Sequence, residues 1–598
     1  MNLQKKLVAV ASAAVLAMTG LGTSSLAVLQ APLQASAAAD TNNDDWLHAV
    51  GSRLYDKDGN EVWLTGANWF GFNCSENCAH YLWSADIDDM LSSIADHGIN
   101  VIRFPISSEL LISWMNETPN AVSSVSANND PHYSINKDFC NADGSIKNSM
   151  EIFDIIMQKC KEYGLKAFID IHSPHADNSG HNYNLWYGKE TADGTMVTTD
   201  LWIDSLVWLA DKYKNDDTLL AYDLKNEPHG KGQEGSTAAK WDGSKDENNW
   251  AYAATKCANA ILEVNPNALI LVEGVEQQCK DGISPEKGVE YYWGMPESKT
   301  DSPYYPAWWG GQLRGVRKYP IQPDSGTSQI VYSPHDYGPS VYDQTWFQKD
   351  FTTQTLLDDY WYDTWAYINK EEIAPLLIGE WGGFMDGDKN QKWMELLRDY
   401  MISNHINHTF WCLNTNSGDT GGLWTGFQYQ PSTGSEITWD DEKYALFEPS
   451  LWQTLETGKY IGLDHQKALG NNGTGLSLSE FYESYASTEG SNLDGGTIVN
   501  PGSKPTTTTT TAKQETTITT TTTTTTPEQV AGDINLDGTV TLSDMVILSR
   551  FLLADTSVSS SSTKWNLSAG DVNQDKKLNG FDLAIYKSHF LTGKAFPE

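Results

Sequence analysis

Apolar and polar positions along most of this chain fall into blocks of two alternating kinds. Short, mostly apolar runs stand at Val62–Phe70, Asn100–Ser107, Lys166–His172, Leu219–Glu227, Ala268–Glu276, Gln329–Tyr337, Pro375–Trp381 and His408–Asn414. Several are apolar throughout, as parallel strands covered on both faces should be. Between them apolar residues recur at helical spacing, most clearly over Ala85–His97, Met150–Tyr163, Leu201–Tyr213, Trp250–Val264, Thr353–Lys370 and Gln391–Ser403. The connection after Ala268–Glu276 is long and aromatic-rich, without a clear helix. Eight strands alternating with helices predict an α/β fold, a (β/α)8 TIM barrel. An open doubly wound sheet is the alternative, weakened because no glycine-rich phosphate turn follows the first strand. The turn Lys57-Asp58-Gly59-Asn60 within Ser52–Leu64 predicts a hairpin that caps the barrel bottom. Leu476–Tyr485 is amphipathic and reads as a final helix packed on the barrel.

The alternation stops near residue 490, and Pro505 to Pro527 is nearly all threonine. Such a tract buries nothing and cannot offset its ordering entropy, so it is a linker. At the other end, Lys5 and Lys6 precede an apolar run from Leu7 to Leu21. Small residues follow at Ala35-Ser36-Ala37 and Ala38-Ala39. This is the pattern of a cleaved export signal, and no later stretch is apolar enough to span a bilayer. The expected division is a signal peptide over 1–39, a barrel over 40–490 with its core in about 45–455, a Thr-rich linker over 491–528 and a small unit over 529–598. The chain is expected to be secreted and extracellular.

A formal net charge of −38 argues against nucleic-acid or anionic-membrane partners, which need basic surfaces. The 23 tryptophans exceed what a core usually needs and suit either a large core or a sugar-binding cleft. The cleft candidates are Trp69, Trp186, Tyr187, Trp293, Trp308, Trp309 and Trp346. Of the seven cysteines, Cys160, Cys257 and Cys412 sit in apolar patterns and read as buried thiols. Cys74 and Cys78 are near enough in sequence to pair with each other or with Cys140, and no second Cys or His pair stands at zinc-site spacing.

In a barrel of this type the site lies at the C-terminal strand ends. The polar residues there are Arg103, Asp170-Ile171-His172, Asn226-Glu227-Pro228, His335-Asp336-Tyr337, Gly379-Glu380-Trp381, and Trp411 with Asn414. Two glutamates ending different strands point to paired-carboxylate chemistry. Glycoside hydrolysis uses one carboxyl group to protonate the leaving oxygen and a second to attack or to activate water, and a separation of about 5–5.5 Å gives retention. His172, His175 and His181 form a weaker metal alternative.

Leu224-Lys225-Asn226-Glu227-Pro228 resembles the Asn-Glu-Pro signature of glycoside hydrolase family 5, in clan A. The resemblance covers about residues 45–455 and includes Ile-Arg-Phe-Pro at Arg103, Asp-Ile-His at His172, His-Asp-Tyr at His335 and Tyr337, and Thr-Phe-Trp at Trp411. Asn68–Phe72 and Asn414–Gly422 look like its bacterial endoglucanase branch. The resemblance implies Glu227 as acid/base and Glu380 as nucleophile. Arg103, His172, Asn226, His335, Tyr337 and Trp411 would contact or orient substrate and catalytic pair. The implied activity is a retaining endo-β-1,4-glucanase (cellulase) needing no cofactor for catalysis. Mannan, xylan and mixed-linkage β-glucan remain alternative substrates, since one fold hosts several. The intact glutamates count against a barrel that only binds polysaccharide or only supports a scaffold.

In the last unit, Asp533, Asn535, Asp537, Thr541 and Asp544 occupy positions 1, 3, 5, 9 and 12 of a calcium loop, with Gly538 at the sharp turn and Thr539 at position 7, where the backbone carbonyl ligates. A second copy runs Asp571, Asn573, Asp575, Lys577, Asn579 and Asp582, with Lys576 in place of the glycine, so weaker Ca2+ affinity is expected there. Each loop precedes a helix, Ser543–Leu552 and Phe581–Leu591. Two such units resemble a type I-like dockerin. The resemblance implies binding to the cohesin of a cellulosome scaffold, with Leu542-Ser543 and Gly580-Phe581 reading the partner.

Overall fold

The computed structural model describes residues 44–130, 135–179, 183–280 and 304–493. In the C-terminal part it describes 531–534, 542–552 and 567–572, with residues 540, 578, 582, 583, 585, 586 and 589. The chain divides into two compact units between Thr506 and Thr507.

Eight parallel strands form the barrel of the first unit: β1 (Thr65–Asn68), β2 (Val101–Ser107), β3 (Lys166–Ser173), β4 (Leu219–Asp223), β5 (Leu269–Val272), β6 (Ile330–Tyr332), β7 (Leu377–Ile378) and β8 (Asn407–Phe410). They are hydrogen-bonded in the order β6-β5-β4-β3-β2-β1-β8-β7. The seam between β6 and β7 is closed by single pairings, Tyr332 with Leu376 and His335 with Glu380. Every residue of β2 to β6 is buried, which explains why the runs read as continuously apolar rather than alternating. The ladders are shorter than the apolar runs. Beyond Asp223, for example, the chain leaves the β4 ladder, and Glu227 takes a positive φ of 48° that no strand accommodates.

The expected helices are present at Ile87–Asp96, Ser149–Glu162, Thr199–Lys212, Trp250–Val264 and Lys389–Ser403, and over 353–370 as a continuous helical run with a π-type centre. Capping follows the sequence: Asp86 accepts from the Asp88 N–H, and Asn148 forms a reciprocal box with Glu151. No α-helix stands between β5 and β6 among the described residues. Ser108–Met115 is an additional helix, capped by Ser107. Nearly all of its residues are buried, so it carries no amphipathic stripe to read. The antiparallel pair Trp424–Gln430 and Gly434–Trp439 is also additional.

The barrel bottom is closed from both chain ends. Strands His48–Val50, Arg53–Tyr55 and Glu61–Val62 form the expected hairpin plus one more strand. Their Leu54 and Val62 share a core with Val101, Phe168, Leu269, Val331 and Leu377 of the barrel and with Leu476, Leu478 and Phe481. The predicted final helix is present over 478–485, α-helical at its start and π-type after it, and is preceded by a short strand, Gly475–Leu476. His465 locks this segment down, with Nδ1 2.6 Å from Asp45 Oδ1 and Nε2 3.1 Å from Asp56 Oδ2. Hydrogen bonds to these carboxylates raise its pKa to about 10. Cys74, Cys78 and Cys140 are thiols, so neither Cys74 nor Cys78 is in a disulfide.

The second unit packs Ile534, Ile547, Leu548, Leu567, Val572 and Tyr586 around the helix Leu542–Leu552. Tyr586 Oη donates to the Gly532 carbonyl at 2.8 Å, and Asp544 Oδ1 accepts from the Ile534 N–H at 2.8 Å.

Candidate active site

The inward positions of the strands change from apolar to charged toward the C-terminal ends. Arg103 on β2 is fully buried at the centre of this polar layer. Its Nη1 donates to Glu380 Oε1 at 2.8 Å and to Asn68 Oδ1 at 2.8 Å. Its Nη2 donates to Asp223 Oδ2 at 3.1 Å, Asn226 Oδ1 at 3.0 Å and Glu273 Oε1 at 3.1 Å, and Asp170 Oδ2 lies 3.2 Å from Nη1. A buried guanidinium is tolerated because its whole fork is matched by carboxylate and amide oxygens.

Glu380 follows β7 at the barrel seam. Both carboxylate oxygens are held, Oε1 by Arg103 and Oε2 by the Tyr337 hydroxyl at 2.6 Å. Burial alone would raise its pKa, but the charges of His335 and Arg103 outweigh it and hold the carboxyl below its ordinary value. Glu227 follows β4 and faces the same space. Its Oε1 lies 3.0 Å from His335 Nδ1. Burial, reinforced by the negative charge of Glu380, raises the Glu227 pKa despite the His335 hydrogen bond. One carboxylate oxygen from each glutamate lies within 4.8 Å of the other. His335 itself is pushed well above the ordinary histidine value: burial lowers its pKa, but Glu273 and Glu380 raise it more. Its Nε2 stands 3.2 Å from Glu273 Oε1.

His172, at the end of β3, is oriented by Asp170 (Nδ1 to Oδ1, 3.0 Å). Its ring lies parallel to Trp411 at 5.6 Å, and Phe70 lies on Trp411 at the same distance with a 17° tilt. Asn226 has its Oδ1 committed to Arg103, and the residue lines the cleft. The cavity in front of these groups has a volume of about 670 Å3 and is lined by Phe70, His172, Asn226, Glu227, Trp308, Trp309, Tyr337, Glu380 and Trp411, among others. Gly310 (φ +69°) lets the Trp308–Trp309 loop approach, since a Cβ there would stand 2.4 Å from Glu273 Oε2.

All eight residues singled out in the barrel sequence therefore converge. The aromatic candidates separate: Trp308 and Trp309 line the cavity, whereas Trp69, Trp186 and Trp346 are buried core and Tyr187 packs beside them. Trp293 lies outside the described residues. Of the histidine metal alternative, His172 pairs with Asp170 and His175 with Tyr183, and the two belong to no metal-type cluster among the described residues. His181 lies outside the described residues.

Sequence reading missed Asp223, Glu273 and Asn68, the remaining partners of Arg103. Asp223 is the one acidic residue of an otherwise apolar β4, and Glu273 directly follows Leu-Ile-Leu-Val. An acidic residue ending a wholly buried strand was the available signal. Lys225 was missed too: fully enclosed beside the carbonyls of His172 and Asn226, its amine is lowered by burial to about 8.

In the second unit, Asp533, Asp544 and Asp582 are buried. After its own burial, their charges in the order Asp544, Asp582, Asp533 push up the Tyr586 phenol, so each acts on that ring. Carboxylates at loop positions 1 and 12 are hard oxygen donors that fit calcium. Asp571 is described and half-buried. Asn535, Asp537, Thr539, Thr541, Asn573, Asp575, Lys577 and Asn579 lie outside the described residues.

A family model described as cellulase (glycosyl hydrolase family 5) matches residues 55–417. A second, for the dockerin type I domain, matches residues 531–591. Endoglucanase G of Acetivibrio thermocellus is 58% identical over 532 residues, covering 87% of each chain. Endoglucanase B of the same organism is 44% identical over 530 residues, 86% of each. Among solved structures, the hyperthermophilic endocellulase of the archaeon Pyrococcus horikoshii matches with a TM-score of 0.53 at 28% identity, covering 68% of this chain and 98% of that one.

Proposed function

The chain belongs to glycosyl hydrolase family 5, as a cellulase-type glycoside hydrolase with a C-terminal type I dockerin, and from that premise we propose that it is a secreted, retaining endo-β-1,4-glucanase acting on internal bonds of cellulose. The observation that carries the mechanism is the Glu227–Glu380 pair: two carboxyl groups within 4.8 Å at the barrel mouth, displaced in opposite directions in pKa. Such divergence assigns the acid and the anion of a double displacement.

Glu380, ionised and held by Arg103 and Tyr337, attacks the anomeric carbon. Glu227, protonated, gives its proton to the leaving glycosidic oxygen, and then as carboxylate takes one from the water that hydrolyses the glycosyl-enzyme. His335 orients Glu227 and supplies positive charge beside Glu380. The Asn226 amide is placed to donate to the sugar 2-hydroxyl, a contact that strengthens in the oxocarbenium-like transition state. Trp411, flanked by the parallel rings of His172 and Phe70, offers an apolar platform to the pyranose at the cleavage point. His172 contributes to substrate binding there.

On soluble cellulose, viscosity falls well before reducing ends accumulate. In a panel with mixed-linkage glucan, xylan and mannan, activity confined to xylan or mannan overturns the substrate while leaving the mechanism standing. The first product seen by NMR has the configuration of the substrate; an inverted product overturns the double displacement.

The leader at 1–39 would deliver the chain outside the cell. The linker over 491–528 would hold the dockerin over 529–598 at a distance from the catalytic unit over 40–490. Two calcium ions, the second more weakly held, would order the dockerin for a scaffold cohesin. Calcium removal is expected to abolish a separate dockerin unfolding transition and leave cellulose hydrolysis unchanged, read by calorimetry and rate on one sample. A barrel transition that shifts with calcium overturns this independence.

A further inference from the structure

The loop after β1 turns back beside the cleft and gathers three side chains that the catalytic arrangement does not use. One ligand atom each from Cys74, Glu76 and His80, a sulfur, a carboxylate oxygen and a ring nitrogen, all lie within 4.8 Å of one another. Cys74 and His80 are 2% and 4% exposed. His80 Nδ1 meets the Asn416 amide nitrogen at 3.4 Å. The other ring nitrogen, Nε2, is buried and makes no hydrogen bond. Its nearest charged group is Glu76 Oε2 at 3.6 Å, an ion-pair distance but too long for a hydrogen bond. A native structure rarely leaves a buried imidazole nitrogen without a ligand of some kind.

We propose that Cys74, Glu76 and His80 form a binding site for a borderline-soft divalent cation of the zinc class, set in the wall of the substrate cleft. Thiolate sulfur, imidazole nitrogen and carboxylate oxygen are the zinc donor set, and three protein ligands leave one position open. The same set disfavours calcium and magnesium, which take oxygen. Outer partners are in place: Asn178 Nδ2 donates to Glu76 Oε2 at 3.2 Å, and the Ser75 hydroxyl to the same oxygen at 3.3 Å. On binding, the Cys74 S–H bond breaks, its proton leaves to solvent and a sulfur–metal bond forms, with no change of oxidation state. The site adjoins the sugar platform. The His80 ring packs on Phe70 at 5.2 Å, Phe70 lies on Trp411, and Cys74 lines the cavity. The motif was illegible in sequence because Cys-x-Glu-x3-His has no second Cys or His pair; the turn of the loop supplies the proximity.

The test titrates the calcium-saturated full chain with Co2+, a spectroscopic stand-in for zinc. One cobalt binds per chain with a thiolate-to-cobalt charge-transfer band in the near ultraviolet, and Zn2+ displaces it. Cys74→Ser removes the band and His80→Gln weakens cobalt binding at least about tenfold. Cys78→Ser, whose thiol is buried outside the cluster, retains both. Circular dichroism verifies that each variant is folded. In the unaltered chain, zinc slows alkylation of Cys74, read by peptide mass mapping, so the proposal stays testable if a variant fails to fold. Absence of the band, its survival in Cys74→Ser, or Cys74 alkylation indifferent to zinc overturns the assignment.

Discussion

Glu380→Gln is expected to lower kcat on soluble cellulose by on the order of 10^4–10^6-fold, the range seen when a covalent nucleophile is removed. Binding of an unhydrolysed oligosaccharide should survive, because the substitution is nearly isosteric. The glutamine carbonyl can still accept from Arg103 or Tyr337, and the Tyr337 hydroxyl can turn to accept from the new amide. Arg103 keeps Asp170, Asp223 and Glu273 as counter-charges, so the polar layer stays matched and the barrel folded. What is lost is the anion that forms the bond. The two readings separate the roles: turnover by reducing-end assay, and binding by calorimetry with a cello-oligosaccharide. Near-normal turnover would remove Glu380 from the mechanism, and lost binding with lost turnover would make it a structural residue.

For Glu227→Gln the expected drop is smaller, about 10^2–10^4-fold, the usual worth of a general acid and base. Its signature is the pH profile. The proposed mechanism needs Glu380 ionised and Glu227 protonated. Activity therefore falls on the acid side as pH drops through the lowered pKa of Glu380, and on the alkaline side as pH rises through the raised pKa of Glu227. The variant should lose the alkaline limb and keep the acid one. An aryl glycoside whose leaving group departs without protonation should still form the glycosyl-enzyme, giving a burst followed by slow turnover. An alkaline limb unchanged in Glu227→Gln would move that titration to another buried group, with His335 and Lys225 the nearest to consider.

The chain's own pattern carried the barrel because burial on both faces leaves a mark in each strand separately. Trp250–Val264 was delimited to the residue by its apolar spacing, and Leu-Ile-Leu-Val of β5 needs no neighbour to declare itself buried. The helix Ser108–Met115 escaped for the same reason inverted, since burial all round erases the stripe. Leu476–Tyr485 packs on the barrel as a helix from 478 onward, with Leu476 drawn into a short strand, and its Leu476, Leu478 and Phe481 join the core of the hairpin and the barrel floor.

At the site, the strand-end residues were legible because each sits beside a local signature: Asn-Glu-Pro, Ile-Arg-Phe-Pro, His-Asp-Tyr. The proposed calcium loops are legible likewise, their expected ligands being spaced within twelve residues. Most of the barrel's strands and helices, and the strand-end glutamates Glu227 and Glu380, are thus readable from the chain alone. It takes the closed barrel for Arg103 to gather four carboxylates from four other strand ends, for the β6–β7 seam to set His335 beside Glu380, and for Trp308 and Trp309 rather than Trp69 to face the cleft. Hydrophobic period and turn chemistry act between residues a few positions apart and are written along the chain. Counter-charge, pKa and cleft exposure arise between residues from tens to hundreds of positions apart, and exist only once barrel closure has brought them within a few ångströms.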